Sequence, residues 1–81
     1  MKKSLHVRYF AVLREQRGLG EERVSTGAAT AAELYEELRA RHGFTLRADR
    51  LRVAVNDEFE PWGAAIRDGD SVVFIPPVAG G

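Results

Sequence analysis

A chain of 81 residues, 44% hydrophobic and 30% charged, has the size and make-up of one globular domain spanning 1–81, and this composition excludes a disordered chain. Twelve basic and twelve acidic residues give zero formal net charge, so no general electrostatic pull toward nucleic acid or a membrane surface is expected. Cysteine is absent, which excludes disulfides, thiolate metal clusters and a thiol nucleophile.

Ser4–Phe10 alternates, with Leu5, Val7 and Tyr9 on one face and His6, Arg8 and Phe10 on the other, so it reads as a strand with one buried face. Ala11–Arg17 is rich in helix formers and stops at Gly18, which fits a short helix. Gly18-Leu19-Gly20 is a turn, and Glu21–Thr26 reads as a second, edge strand. Thr30 and Glu33 then form a capping box: the hydroxyl takes the amide three residues on and the carboxylate reaches back. Ala31, Leu34, Tyr35, Leu38 and His42 follow as one apolar stripe of a long helix. Arg39 and Arg41 suit its C-terminal dipole, and Gly43 is its stop. Phe44–Arg50 reads as a loop, Leu51–Asn56 as a strand, Asn56-Asp57 as a turn and Glu58–Pro61 as a short edge strand. Trp62–Ile66 reads as a single helical turn, and Arg67-Asp68-Gly69-Asp70 as a tight turn. Ser71–Ile75 is β-branched and aromatic, with Val72 and Phe74 on one face and Val73 and Ile75 on the other. Pro76-Pro77 ends that strand, because neither residue can donate a ladder hydrogen bond. The expected class is α+β, a mixed sheet with the last strand parallel to the first and one long helix across one face. Element order alone allows either a β-grasp (ubiquitin-like) or a ferredoxin-like arrangement.

Side-chain chemistry is thin. His6 and His42 lack a partner at metal-ligand spacing, Gly18-Leu19-Gly20 lacks the third glycine of a dinucleotide loop, and Asp68-Gly69-Asp70 suits a turn. No metal site and no independent catalysis are expected. No apolar run reaches membrane length and no signal-peptide core follows Lys2-Lys3, so a cytoplasmic location is the default. The outward sheet face is more informative. Phe10, Val73 and Ile75 fall together there, Phe59 joins them, and Arg14 sits at the rim; a contiguous apolar patch marks an interface. The C-terminal end, 76–81, is expected to be a flexible tail springing from a core strand, with the sequence Val78-Ala79-Gly80-Gly81 after the prolines. Six residues reach at most about 20 Å, enough to place the Gly81 carboxylate in a narrow active site.

Asp68-Gly69-Asp70, a strand, and then Phe74-Ile75-Pro76-Pro77-Val78-Ala79-Gly80-Gly81 resemble the C-terminus of the small-subunit family of molybdopterin synthase, one of the ubiquitin-like sulfur carriers. Tyr9-Phe10-Ala11, with Arg14-Glu15 and Gly18, is similar to that family's first strand and turn, and Val53-Ala54-Val55-Asn56 to its middle strand. The resemblance covers nearly the whole chain and implies the β-grasp fold. It implies that an activating enzyme adenylates the Gly81 carboxylate with ATP. Sulfur from a donor protein then makes a terminal thiocarboxylate, which supplies the dithiolene sulfurs of molybdopterin from cyclic pyranopterin monophosphate. The pterin precursor and the acid–base residues belong to the large subunit, in a heterotetramer with one small subunit at each end. Phe10, Arg14, Phe59 and Ile75 then make the docking face, Pro76, Pro77, Val78 and Ala79 the inserted tail, and Gly80 with Gly81 the reacting end. No cofactor is bound by this chain itself. The chemistry suits the residues: adenylation makes a poor acyl group electrophilic, a thiocarboxylate is ionised and nucleophilic at neutral pH, and glycine leaves the attacked carbonyl unhindered. Three alternatives stay open: a carrier serving thiazole or cysteine synthesis, a protein modifier joined to lysine, and a plain binding module.

Overall fold

In the computed structural model, which describes residues 2–77, the first alternating run becomes strand β1, Lys3–Tyr9. Its last paired residue is Tyr9, opposite Phe74; Phe10 keeps an extended backbone outside the ladder, and the left-handed Ala11 (φ 52°) ends the extended run. Helix α1, Ala11–Arg17, follows, and Gly18 closes it with a left-handed turn (φ 83°) whose N–H donates to Arg14 O at 2.9 Å. Strand β2, Glu21–Thr26, returns antiparallel to β1, with Val24 opposite Leu5.

Helix α2, Ala31–His42, starts where its capping residues dictate. Thr30 Oγ1 accepts from the Glu33 N–H at 3.2 Å, and the Glu33 carboxylate accepts from the Ala29 N–H at 3.0 Å, one residue before the threonine. Ala31, Leu34, Tyr35 and Leu38 are buried along one stripe. His42 is only half-buried at its end. A 3₁₀ turn at Ala48–Arg50 occupies part of the expected loop and leads into strand β3, Arg52–Val55. Asn56 and Asp57, both left-handed (φ 52° and 71°), form a two-residue hairpin turn to strand β4, Glu58–Glu60.

The helical turn expected at Trp62–Ile66 does not form. Trp62-Gly63 is a turn closed by the Ala64 N–H donating to Pro61 O at 3.0 Å. The first amides of α2, which have no partner within the helix, take up the carbonyls here: Ala31 N–H donates to Ala64 O at 3.1 Å and Ala32 N–H to Trp62 O at 2.9 Å. Those contacts favour an extended segment over a local helix.

Strand β5, Ser71–Ile75, completes a five-stranded sheet in the order β2-β1-β5-β3-β4. β5 is parallel to β1, with Val72 beside Val7 and Phe74 beside Tyr9, and antiparallel to β3. The parallel central pair and the single long helix give the β-grasp arrangement, in which α2 packs on the face carrying Leu5, Val7, Tyr9, Val72 and Phe74. Tyr35 is the hub of this core, its ring centroid 5.1 Å from Phe74, 5.8 Å from Trp62 and 6.0 Å from Phe44. Its hydroxyl donates to Leu46 O at 2.7 Å, so the ring is buried without an orphaned polar atom. Each such fully buried large side chain contributes about 1.5–3 kcal/mol.

Candidate functional site

The pleat sends alternate residues of each strand to the sheet face that α2 does not cover. Cross-strand register sets them in rows. Glu21, Arg8, Val73, Ala54 and Phe59 run side by side across all five strands. Ile75 and Arg52 form a partial row beside them, and Arg23, His6 and Ser71 another on the far side.

Phe59 stands out from this face, 57% exposed, with the Arg52 guanidinium carbon 4.1 Å from its ring centre. Ile75 is half-buried at the end of β5. Phe59, Ile75, Pro76 and Pro77 line one groove of about 470 Å³, together with Leu51, Arg52, Asp49 and Arg50. The two prolines therefore leave the sheet along an apolar channel.

Phe10 and Arg14 are not part of that groove. Phe10 is 42% exposed and follows Tyr9 at the end of β1, where Arg8 lies 5.6 Å from its ring centre. The left-handed Ala11 that turns the chain into α1 fixes this display of Phe10, at a cost of about 1–2 kcal/mol for a residue with a Cβ. Arg14 is exposed on α1 and its side chain lies across Gly20, close enough that a Cβ there would come within 3.3 Å of Nε. A side chain at position 20 would press on Arg14, whose flexible end would have to give by a few tenths of an ångström. Val73, expected as an exposed member of the patch, is only 6% exposed, shut in its row between Arg8 and Ala54. The expected tail residues Val78, Ala79, Gly80 and Gly81 lie outside the described residues.

The three arginines on this face, Arg8, Arg23 and Arg52, were not singled out from sequence. The signal was present in the alternation, since Arg8 falls between His6 and Phe10, but a zero net charge hid it.

A second polar cluster escaped the sequence reading. Glu22 accepts from Arg17 Nε at 2.9 Å and Nη2 at 2.8 Å, and from the Tyr9 hydroxyl at 2.7 Å. These bonds, Arg17 foremost, hold its carboxyl down to about 2 although burial pushes the other way. Burial, then the Glu22 hydrogen bond, raises the Tyr9 hydroxyl well above its usual range. His42 Nε2 is buried 3.7 Å from Glu22 without a hydrogen-bond partner among the described residues, and burial lowers its pKa, with Arg17 adding to the effect. This cluster ties α1 and α2 to the sheet and lies on the side opposite the groove. Among the described residues no group of His, Asp or Glu is placed to hold a metal ion, and no helix is long and apolar enough to cross a membrane.

A five-stranded mixed sheet with parallel central strands and one long helix across one face defines a ubiquitin-like β-grasp protein. A Caldiarchaeum subterraneum ubiquitin shares this fold, with a TM-score of 0.65 at 16% identity over the full length of both chains. Residues 7–81 match the ThiS family, and the chain belongs to that family. It is 34% identical over 80 residues to the molybdopterin synthase sulfur carrier subunit of Haemophilus influenzae, covering 95% of this chain and 99% of that one. The Escherichia coli protein of the same name is 32% identical over the same shares. Among solved structures, a Pyrococcus furiosus chain assigned as molybdopterin converting factor, subunit 1, superposes with a TM-score of 0.78 at 31% identity, covering 94% of this chain and 99% of that chain. Small archaeal modifier protein 1 of H. volcanii gives 0.77 at 28% identity, with the same coverage. A Helicobacter pylori complex of subunits 1 and 2 of molybdopterin-converting factor contains a chain that matches at 0.64 and 26% identity, covering 96% of this chain and 99% of that chain.

Proposed function

We propose that this chain is the sulfur-carrying small subunit of a molybdopterin synthase, acting in the cytoplasm through its terminal carboxylate and not through a side chain. The observation that carries the reading is the near full-length match to molybdopterin synthase sulfur carrier subunits, in a chain that has no cysteine and carries Gly80-Gly81 shortly after Pro76-Pro77. The Gly81 carboxylate attacks ATP on an activating enzyme and forms an acyl-adenylate, releasing pyrophosphate. A persulfide sulfur of a donor protein attacks the carbonyl and expels AMP. A second thiol then cleaves the acyl disulfide, leaves as a disulfide with the donor, and frees the thiocarboxylate. Docked on the large subunit, the thiocarboxylate sulfur bonds to a side-chain carbon of cyclic pyranopterin monophosphate as that carbon loses its oxygen substituent; water then hydrolyses the resulting thioester, which leaves the sulfur on the pterin and restores the carboxylate, and two carriers in turn supply two sulfurs. The chain binds no cofactor, and the ATP is consumed by the activating enzyme. Acid–base catalysis belongs to the large subunit, in a heterotetramer.

The fold supports this use of the chain. The face bearing Phe10, Phe59 and Ile75 is left open by α2, and Pro76-Pro77 leave it along the groove. Docking uses that face, with Arg14 at its margin.

The test is chemical. With ATP, the cognate activating enzyme and a sulfur donor, the intact mass should rise by the difference between sulfur and oxygen, and peptide mapping should place the change at Gly81. With the large subunit and the pterin precursor, the mass should return to its starting value. Deleting Gly81 shifts the reacting carbon by about one residue, roughly 3.5 Å, and should abolish both steps. Comparable sulfur transfer by the shortened chain would sink the assignment.

A second reading has one specific observation behind it, the similarity to small archaeal modifier protein 1. A modifier would form lysine-linked conjugates, visible as a ladder of mass-shifted proteins in the host; a free thiocarboxylate on the isolated chain marks the carrier.

A further inference from the structure

The uncovered sheet face has a charge that the balanced composition conceals. Its strands present Arg8, Arg23 and Arg52 against Glu21 alone, in a chain of zero formal net charge. Glu21 is already engaged, with Oε1 3.1 Å from His6 Nε2. None of the three arginines forms an ion pair among the described residues, and all three are exposed. Arg8 and Arg52 are held over the rings of Phe10 and Phe59, at 5.6 Å and 4.1 Å. A cation–π contact fixes a guanidinium in place without using its N–H donors, which stay available to a planar acceptor.

We propose that this face receives a protein surface that sets carboxylates against Arg8 and Arg52, around an apolar centre that takes Phe10, Phe59 and Ile75. This rests on the docking reading above and adds the chemistry of the partner. Two other occupants fit less well. Two-fold pairing with a second copy would set two faces of net positive charge against each other. A nucleic acid strand would use the phenylalanines as stacking platforms, yet β5 and β3 separate β1 from β4. Three strand spacings set β1 and β4 about 14 Å apart, too far for one phenylalanine on each to stack neighbouring bases. The arginines serve encounter and choice of partner, and the apolar centre serves retention, because rim charges act mainly on association rate and its salt dependence.

The test uses the full chain and the large subunit of molybdopterin synthase from the same host, with association followed by stopped-flow fluorescence from low to high salt. The double variant R8E/R52E should associate at least tenfold more slowly at low salt and lose most of the salt dependence, while R8K/R52K keeps it. R8Q/R52Q should fall between the two, and thermal melts should show all three variants folded, since both side chains are exposed. Association of R8E/R52E within twofold of the unaltered chain, with Phe10→Asp still abolishing the complex, would overturn the proposal and leave the docking reading standing. Failure of the unaltered chain to bind the large subunit would overturn both. Two further controls also count against the proposal if positive: arginine-dependent binding of a single-stranded RNA oligonucleotide as tight as that of the large subunit, or sedimentation showing a dimer of the unaltered chain that R8E/R52E dissolves.

Discussion

Replacing Glu22 by glutamine would isolate a carboxylate that joins β1, α1 and β2, while keeping its size. Glu22 accepts two hydrogen bonds from Arg17 and one from Tyr9, and its carboxyl is held down from the usual 4.5 to about 2. A carboxylate depressed in this way contributes stability that is complete above its unfolded pKa and is lost as pH falls toward the folded value. The window for Glu22 therefore runs from about 4.5 down to about 2. At 1.36 kcal/mol for each unit, that difference sets an upper bound of about 3 kcal/mol. Glutamine keeps a neutral acceptor for Arg17 but loses the charge, so Glu22→Gln should cost about 2–3 kcal/mol at pH 7. A chain of this length has roughly 4–12 kcal/mol of stability in all, so the loss is readily measured. Urea denaturation followed by Trp62 fluorescence should show the two proteins converging below pH 4.5 and meeting near pH 2. A gap that stays constant from pH 7 to pH 3 would refute the electrostatic account and leave Glu22 as a packing residue.

Two further outcomes follow from the same geometry. Ala11→Gly should raise stability by about 0.5–1 kcal/mol, since relief of the left-handed backbone exceeds the added chain entropy, and the melting midpoint should rise by a few degrees; a lowered midpoint would show that the φ of 52° carries no strain. Burial and Arg17 keep the His42 pKa below 6.5, so the unfolded chain takes up its proton first and stability falls as pH drops below about 6.5. His42→Gln should therefore flatten the stability curve between pH 7 and pH 5, checked by the same urea titrations.

The residues sort by the distance over which their partners act. Helix α2 was legible from sequence because its signals are local: Thr30 and Glu33 cap it three residues apart, Leu34, Tyr35 and Leu38 recur at helical spacing, and Gly43 ends it. β1 and β5 were legible for the same reason, since alternation needs only the residue two places on. Phe10, Phe59 and Ile75 could likewise be assigned to one face by counting. Gly80-Gly81, the missing cysteine and the paired prolines are facts of sequence, and the proposed carrier chemistry is argued from them.

Tertiary structure decided what depends on contacts between distant parts of the chain. The Trp62–Ile66 segment has fair helix formers, but the unpaired amides at the start of α2 recruit its carbonyls and hold it extended. Val73 looked exposed by alternation, yet its neighbours in the row close over it. Glu22 and His42 are 20 residues apart in an ordinary edge strand and a helix end, and only packing of α1 and α2 against the sheet brings them together with Arg17 and Tyr9. The charge of the open face was hidden in the same way. The chain's charges sum to zero, and only strand order and register set Arg8, Arg23 and Arg52 on one surface, because a sheet sorts residues by their position across strands and composition does not.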